Sequence, residues 1–512
     1  MKLPQLSRVE IFLLAISLLV VVAYFARVGK NPPGFFIDEA SIAYNAHTIA
    51  RQGTDEHSQH FPLYFRAFGE YKSPVYIYAL AALFRITGPS VFVARLLSAI
   101  LGLLAAILLG LLAYRMTKRR AIGLIVFIAA GLTPWLFEVS RLVFEVTLLP
   151  ALLSLFLLIL YDASKDDDWS WQIAAGLGVL LGLMVYSYSA GRLLAPLFAL
   201  GLVFFLTRRR WRGVALSWIV FALTLVPLAV FSVRNPGTLG ERFKYVTYVK
   251  PGDSRTEIVV RLFRNYVHNF SPWSWLLAGD PEPRHHLPGM GSLLAGVVIL
   301  GLLGTVLVLL CHRREAWWRF ILYGLAVSAI PASLTLDHFH TLRLIALPLF
   351  LLVLVVPAIE FLGSAGILPA ETDVSGDGDA EVRASHAAHR RGSSRRALLA
   401  ALVLLIIAQG AVFQWQFHTA PPRVDAFDSY YPQVLDAALR QPERPIYLLD
   451  KTPAAYMYAY WYSTLRGLEL NNFQRATKDA PPTGAVVISH ELPCTNCEMI
   501  FERGQFRVYR QK

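Results

Sequence analysis

The sequence predicts an α-helical integral membrane protein that ends in a small α/β domain outside the membrane. Hydrophobic residues make up 55% of the 512 residues, only 16% are charged, and the mean hydropathy is +0.47. A soluble chain of this length normally carries about 25% charged residues. The net charge of +13 is spread over short basic runs between apolar stretches. Because these runs form no single basic patch, we expect no nucleic-acid partner.

About eleven apolar runs are long enough to cross a lipid bilayer, for which a helix needs about 20 mostly apolar residues. The first run follows basic residues and precedes no cleavage site, which favours a membrane anchor over a cleaved signal peptide. The predicted spans are residues 11–26, 91–113, 121–137, 142–160, 171–186, 189–206, 214–231, 292–310, 320–334, 344–361 and 397–413.

The short loops predict the topology, because cytoplasmic loops retain Lys and Arg. With the N-terminus in the cytoplasm, the arginine-rich loops at 115–120, 208–212, 313–314 and 390–396 all fall on the cytoplasmic side. The loop 161–170 is acidic instead, but acidic residues contribute little to this rule. Eleven crossings then leave the C-terminus outside the cell membrane.

The chain divides into a membrane domain, residues 1–417, and an extracytoplasmic α/β domain, residues 418–512. Two large external loops interrupt the membrane domain, at 27–90 and 232–291. The cytoplasmic stretch 363–396 is rich in Gly, Ala, Ser, Asp and Arg and holds little that could pack. We therefore predict that this stretch is a disordered linker.

In the C-terminal domain, strand patterns alternate with helix patterns. The strand-like runs are 446–449 and 485–488, the helix-like runs are 431–440 and 454–462, and the run 499–509 around Gly504 predicts a hairpin. Cys494 and Cys497 are compatible with a redox pair, half of a metal site or a structural disulfide. The disulfide is favoured because no second cysteine pair could complete a zinc site.

The first external loop has the densest group of polar residues. Asp38 and Glu39 begin a predicted amphipathic helix over 38–51 that stops at Gly53. The simplest role for Asp38 would be to cap that helix. Capping does not explain why the same loop holds the further charged residues Asp55, Glu56, Glu70 and Lys72.

Several short motifs, in this order, resemble one known family. They are Phe36-Ile37-Asp38-Glu39-Ala40, Gly53-Thr54-Asp55-Glu56, Phe61-Pro62-Leu63, Tyr71-Lys72-Ser73-Pro74, Arg95-Leu96-Leu97-Ser98, Ser140-Arg141, Glu145, the run 284–291 and His340-Thr341-Leu342-Arg343. The sequence resembles the polytopic GT-C glycosyltransferases of the protein mannosyltransferase and lipid A aminoarabinose transferase group, in its bacterial family 39-like branch. The resemblance implies the GT-C fold and a place in the bacterial inner membrane.

The resemblance also implies inverting transfer of one sugar, a hexose or a pentose, from a polyprenyl-phosphate donor. The acceptor would be an envelope glycolipid, glycan or protein on the extracytoplasmic face. Phosphate is a good leaving group, so the enzyme mainly has to deprotonate the acceptor and hold the charge of the phosphate. A polytopic transporter or flippase for lipid-linked sugars is the alternative. We see no pair of repeated halves, which a transporter should show.

The family position makes Asp38 the general base, with Glu39 as a supporting carboxylate that orients the acceptor or a loop cation. Glu145, near the outer mouth of the fourth span, is the most favoured additional acid in the cavity. Arg141 lies one helical turn before Glu145, so an ordinary ion pair within the helix is an alternative for these two residues.

Lys72 matches the phosphate-binding lysine of the family. Arg192 and Arg343 are further phosphate-binding candidates because both lie at predicted outer helix ends, although arginines that only snorkel to the membrane surface look the same in a sequence. Tyr71 stands where relatives often carry an acid, which leaves open whether Glu70 takes that role. The accessory candidates are Asp55, Glu56, Glu70, Arg141, His285, His286 and His340.

Histidines and carboxylates in the external loops could suggest a metal site. Their spacing matches no structural zinc motif, and two histidines one residue apart do not share a helix face. The resembling transferases need no metal ion. We therefore expect no required cofactor, from the set His285, His286, Asp337, His338 and His340 or elsewhere.

Overall fold

The computed structural model describes residues 6–68, 70–364, 378–419, 423–450, 455–476, 481–490, 492–494 and 496–512. The α-helices are α1 Arg8–Phe25, α2 Ile37–Gln52, α3 Pro74–Thr87, α4 Val91–Thr117, α5 Arg120–Leu132, α6 Pro134–Val139, α7 Leu148–Ala163, α8 Trp171–Val185, α9 Gly191–Gly201, α10 Trp211–Thr224, α11 Val226–Arg234, α12 Glu241–Val246, α13 Arg255–His268, α14 Ala295–Leu307, α15 Ala316–Ser328, α16 Ile330–Ser333, α17 Leu347–Gly363, α18 Gly378–Thr419, α19 Tyr431–Leu439 and α20 Ala455–Leu465. The strands are β1 Phe65–Ala67, β2 Glu70–Lys72, β3 Ile446–Asp450, β4 Phe473–Arg475, β5 Val486–His490, β6 Cys497–Arg503 and β7 Phe506–Gln511.

The predicted membrane class is confirmed. Within the described residues, six helical segments are long and apolar enough to cross a membrane, and each overlaps one predicted span: Arg8–Phe25, Val91–Thr117, Glu145–Ala163, Trp211–Arg234, Ala295–His312 and Gly392–Thr419. Shorter apolar helices cover four more predicted spans: Arg120–Leu132, Trp171–Val185, Gly191–Phe205 and Leu347–Gly363. The count of eleven crossings stays a prediction.

One apolar helix was not predicted as a separate element. Helix α3 begins with Pro74 in its first turn, where a missing N–H costs nothing, and ends at Gly88, which has a positive φ of 77°. Its buried side chains include Tyr76, Leu80 and Phe84, and they pack into the same core as α2. Helix α3 therefore packs against α2 through this shared apolar core.

The disorder predicted for 363–396 is wrong for the second half of that stretch. Residues 378–396 form the first part of α18, which runs on to Thr419. Alanine and arginine, both frequent there, are strong helix formers. An apolar helix that already exists can also be extended without a new nucleation step. Residues 365–377 of the predicted linker lie outside the described residues.

The C-terminal domain is built on a five-stranded sheet with the order β4-β3-β5-β7-β6. Strand β3 pairs in parallel with β4 and β5, whereas β7 pairs antiparallel with β5 and β6. The predicted strands, helices and hairpin of this domain are confirmed, and Gly504 lies at the hairpin turn with a φ of 57°. Cys494 and Cys497 form the favoured disulfide.

The C-terminal domain and the first loop share one apolar core. The ring of Trp461 in α20 stacks on Phe35, with 5.3 Å between the ring centroids. The ring of Tyr460 contacts that of Tyr44 in α2 in a tilted arrangement, with 5.5 Å between the ring centroids. The domain therefore packs directly on the loop that carries the Asp38-Glu39 pair and helps to fix the orientation of α2.

Candidate active site

A cavity of about 730 Å³ opens beside the first turn of α2. Its wall also includes β2, the 3₁₀ turn before α7, the start of α9 and the loops that precede α14 and α17. The acidic, basic and histidine side chains that line it are Asp38, Glu70, Lys72, Glu145, Arg192, Asp280, Glu282, Arg284, His285, Asp337, His340 and Arg343. The cavity thus collects charges from segments more than 300 residues apart in the chain.

Helix α2 directs its two acidic residues to different sides. Its N-cap residue is Phe36, whose backbone N–H donates to Glu39 Oε2 over 2.9 Å. Glu39 therefore satisfies the helix start, and the capping role considered for Asp38 is wrong. The Asp38 side chain is 32% exposed and faces the cavity.

Lys72 is the partner of Asp38. Strand β2 pairs antiparallel with β1, and Glu70 and Lys72, two residues apart, project from the same face of β2 into the cavity. Lys72 Nζ donates to Asp38 Oδ1 over 2.6 Å, and the lysine side chain is only 5% exposed. Burial acts to lower the pKa of Lys72, but the nearby carboxylates of Asp38 and Glu145 raise it above the usual value. The lysine therefore stays charged.

Glu145 lies next to this pair, in a short 3₁₀ turn that leads into α7. Its carboxylate accepts a hydrogen bond from the backbone N–H of Ser73. The following residue, Pro74, starts α3, so the Lys-Ser-Pro sequence places a side-chain cation, a backbone donor and a helix start in succession. The structure thus brings Asp38, Lys72 and Glu145 together, as the sequence suggested.

Arg141 does not pair with Glu145. Its guanidinium is fully buried and donates to the backbone oxygens of Tyr24, Ala26 and Asn31, where the chain leaves α1. The intrahelical ion pair considered from the sequence is therefore wrong, because a break in the helix separates the two residues. Arg141 fastens the start of the first loop and does not line the cavity.

Glu39 forms an ion pair with Arg95 of α4, which we call the buried pair. Arg95 Nε and Nη2 donate to the two carboxylate oxygens over 3.0 and 2.8 Å, and both side chains are 0% exposed. Glu39 also accepts from the backbone N–H of Val143. The Glu39 carboxylate thus lies behind α2 and outside the cavity lining, and its supporting role in catalysis stays a prediction.

The two arginine candidates both line the cavity but differ in their partners. Arg343 forms an ion pair with Asp337 and donates to Thr335 Oγ1 over 2.9 Å. Arg192 donates to the backbone oxygen of Leu239 over 3.2 Å, and its guanidinium lies 5.1 Å from the Tyr64 ring centroid. Among the described residues, Arg192 forms no ion pair with a carboxylate.

Besides Arg141, three accessory candidates lie away from the cavity. Asp55 Oδ1 accepts from the backbone N–H groups of His57 and Gln59 and so closes a turn. Glu56 contacts Tyr456 Oη of the C-terminal domain over 3.3 Å. His286 binds Glu138 and the backbone oxygen of Met290. These contacts hold loops in place, which local sequence patterns could not show.

Three cavity residues were missed, namely Asp280, Glu282 and Arg284. Asp280 precedes the Arg284-His285-His286 motif, and its carboxylate lies 3.5 Å from His285 Nδ1. Arg284 is paired with Glu282 and lies over the Phe36 ring at 4.3 Å. The available signal was an external loop in which Arg284 begins a matched motif and Asp280 and Glu282 directly precede it. The motif alone did not indicate which of its neighbours turn inward.

Comparison with solved structures identifies the architecture. The crystal structure of ArnT from Cupriavidus metallidurans bound to undecaprenyl phosphate superposes with a TM-score of 0.58 at 15% identity, covering 98% of this chain and 97% of that one. The apo structure of the same protein gives a TM-score of 0.59 at 15% identity, with the same coverage. The protein has the GT-C fold.

The sequence comparison agrees with the GT-C fold over one part of the chain. Residues 71–234 match the family described as dolichyl-phosphate-mannose-protein mannosyltransferase. No curated protein sequence matches significantly. The resemblance to polytopic GT-C glycosyltransferases that was predicted from short motifs is confirmed. In this GT-C chain, the matched segment starts at β2 and includes Lys72, Glu145 and Arg192.

Proposed function

We propose that this protein is an inverting glycosyltransferase of the bacterial inner membrane. It moves one sugar from a polyprenyl-phosphate donor to an envelope acceptor on the extracytoplasmic face. The observation that carries the proposal is the 2.6 Å contact between Asp38 and Lys72 at the wall of the cavity. This contact puts a carboxylate that can accept a proton beside a cation that can hold a phosphate.

The donor class is supported by the chemistry of the cavity and by its fold. Lys72, Arg192 and Arg343 converge there with apolar side chains such as Phe243 and Leu334. Cations suit the phosphate, and an apolar wall suits the start of a polyprenyl chain. A structure with the same fold is bound to undecaprenyl phosphate, a molecule of this class.

In the proposed reaction, the donor phosphate takes over Lys72 and thereby releases Asp38. The Asp38 carboxylate then removes a proton from the hydroxyl or amine of the acceptor. The acceptor atom then bonds to the anomeric carbon from the side opposite the phosphate. The bond between that carbon and the phosphate oxygen breaks, and its electron pair leaves with the phosphate, held by Lys72 and Arg192. Because side chains supply this charge, we propose that no metal ion is required for transfer.

The proposal places the first external loop and the C-terminal domain on the extracytoplasmic side of the membrane. The first loop packs on that domain, so both belong on the same side of the membrane in any topology. The positive-inside pattern of the short loops supports the extracytoplasmic side. The shared core also gives the domain a role in holding α2 at the cavity.

The test measures release of polyprenyl phosphate from a donor with a labelled sugar, in envelope membranes from a deletion strain that supply the acceptor. We expect the wild-type protein to restore release. Asp38→Asn should reduce the rate by roughly 10²–10⁴-fold, the usual contribution of a general base. Asp167→Asn is the matched control, because Asp167 is 76% exposed in a loop between α7 and α8.

Two results would overturn the proposal. The first is a donor that crosses the membrane with its sugar still attached, as a transporter or flippase would leave it. The second is an Asp38→Asn variant that releases polyprenyl phosphate at the wild-type rate.

A further inference from the structure

Three potential metal ligands meet where two external loops touch. Asp280 and His285 come from the loop between α13 and α14, and His340 comes from the loop between α16 and α17. A ligand atom from each of the three side chains lies within 4.8 Å of the other two. Loops that are far apart in the sequence thus supply two imidazoles and a carboxylate to one point.

The distances suit a small transition-metal ion. His285 Nδ1 lies 3.5 Å from Asp280 Oδ2. Two ligands at about 2.0–2.1 Å from a tetrahedral zinc ion lie about 3.4 Å apart. The rings of His285 and His340 lie with their centroids 5.0 Å apart. Sets of two histidines and one carboxylate bind zinc with a fourth position left for another ligand.

The two histidines carry buried nitrogen atoms that need a partner. In the part of the chain that the structure describes, Nδ1 of His285 and Nδ1 of His340 are both buried without a hydrogen bond. The whole His285 residue is only 6% exposed. Buried polar atoms are rarely left unsatisfied, and each such case calls for an explanation. A bound cation would satisfy both nitrogens at once.

Asp280 is held in the way that ligating carboxylates usually are. Its Oδ2 accepts from Thr341 N and Thr341 Oγ1, both over 2.7 Å, and its Oδ1 accepts from the backbone N–H of Glu282 over 2.9 Å. A carboxylate offers about four acceptor positions, two on each oxygen, so these three bonds orient Asp280 and leave one position, on Oδ1, for a metal ion. Thr341 directly follows His340, so the same contacts also fix the second loop.

We infer that Asp280, His285 and His340 form a binding site for one divalent transition-metal ion, of which zinc fits best, and that this ion joins the two external loops. The site lies in the cavity wall, where a water molecule can fill the fourth position. This inference does not depend on the proposed function. An ion that holds two loops together is compatible with sugar transfer that requires no metal.

The test uses the full-length protein in lipid nanodiscs, stripped with a chelator and dialysed against Zn²⁺. We expect one tightly held zinc ion per chain and a higher Tm with zinc than without it. His285→Ala and His340→Ala should each weaken zinc binding by at least 10-fold. Loss of a group that only orients a ligand already costs roughly 10–100-fold in affinity.

The matched control is His338→Ala. This histidine lies two residues before His340 in the same loop, but it is exposed, and its ring contacts that of His268 in a tilted arrangement. The control should bind zinc and gain Tm like the wild type. Size-exclusion profiles and the Tm without zinc show whether each variant is folded. The inference is overturned if the wild-type protein holds no zinc, or if folded His285→Ala and His340→Ala bind it as tightly as His338→Ala does.

Discussion

The cavity wall around Asp38 and the buried pair behind it show how one helix serves two purposes. Asp38 and Glu39 are adjacent in the chain and identical in charge. Asp38 is one-third exposed at the cavity and pairs with Lys72, which has further carboxylates close by. Glu39 is fully buried and makes two hydrogen bonds with Arg95, a third with Phe36 and a fourth with Val143.

The difference teaches that charge alone does not identify a reactive group. The four hydrogen bonds of Glu39 all come from protein groups, two to each carboxylate oxygen. Its carboxylate therefore has no open position for a substrate. Asp38 is paired at the cavity wall with Lys72, and a phosphate can replace Asp38 as the partner of this lysine. The contact with Lys72 and the access to the cavity favour a reactive role for Asp38. The buried contacts of Glu39 favour a structural role for that residue.

The largest expected effect lies on the buried side of this comparison. Removing one partner of a buried ion pair leaves the other charge uncompensated, which costs about 3–5 kcal/mol. We therefore expect Glu39→Gln or Arg95→Met to lower the Tm sharply and to reduce the yield of folded protein. Asp38→Asn should change the Tm much less, because the carboxylates of Glu145 and Glu70 still compensate the charge of Lys72.

A double variant sharpens this first prediction. Glu39→Gln combined with Arg95→Met removes both charges, so it should recover part of the stability that either single change loses. Folded protein from any of these variants should retain sugar transfer. If Glu39→Gln left the Tm intact and abolished transfer, the assignment of the two carboxylates would have to be exchanged.

The second prediction concerns Lys72 at the cavity wall. Lys72→Met keeps the length of the side chain but removes the charge that faces Asp38 and the proposed phosphate. A hydrogen bond to a charged group is worth about 1.5–3 kcal/mol, so KM for the donor should rise roughly 10–100-fold. Initial rates at varied donor concentration measure the change. An unchanged KM would contradict the proposed role of Lys72 in phosphate binding.

Much of this comparison could be predicted from sequence. Apolar runs gave the membrane class, and short motifs pointed to Asp38, Lys72 and Glu145, which the fold does bring together. The role of Glu39 could not be predicted, since its partner Arg95 lies in a different helix 56 residues away. Local patterns show which face of a helix is polar but not which distant charge will meet it.

The third prediction separates the two arginines of the cavity. Arg343 is already neutralised by Asp337, whereas Arg192 has no carboxylate partner within the described ranges. Arg192→Met should therefore raise KM for the donor roughly 10-fold, as expected for one lost charged hydrogen bond. Arg343→Met should raise it by a smaller factor. Equal effects would show that Arg343 leaves Asp337 when the donor binds.

The last prediction concerns the place where the first loop meets the C-terminal domain. The Glu56 side chain is 1% exposed and contacts Tyr456. Burial raises the pKa of Glu56 from its usual value of 4.5 to about 7. The folded protein therefore holds a proton that the unfolded chain releases between these values, so this contribution to stability falls as the pH rises from 4.5 to about 7.

Glu56→Gln tests this pH dependence. The neutral amide imitates the protonated acid, so the Tm of the variant should vary less than that of the wild type over this pH window. The difference should be greatest near pH 7, where about half of the wild-type Glu56 is ionised. Asp167→Asn, in an exposed loop, serves as the control and should follow the wild-type curve. Parallel curves for Glu56→Gln and the wild type would show that the loop and the domain are not coupled through this carboxyl group.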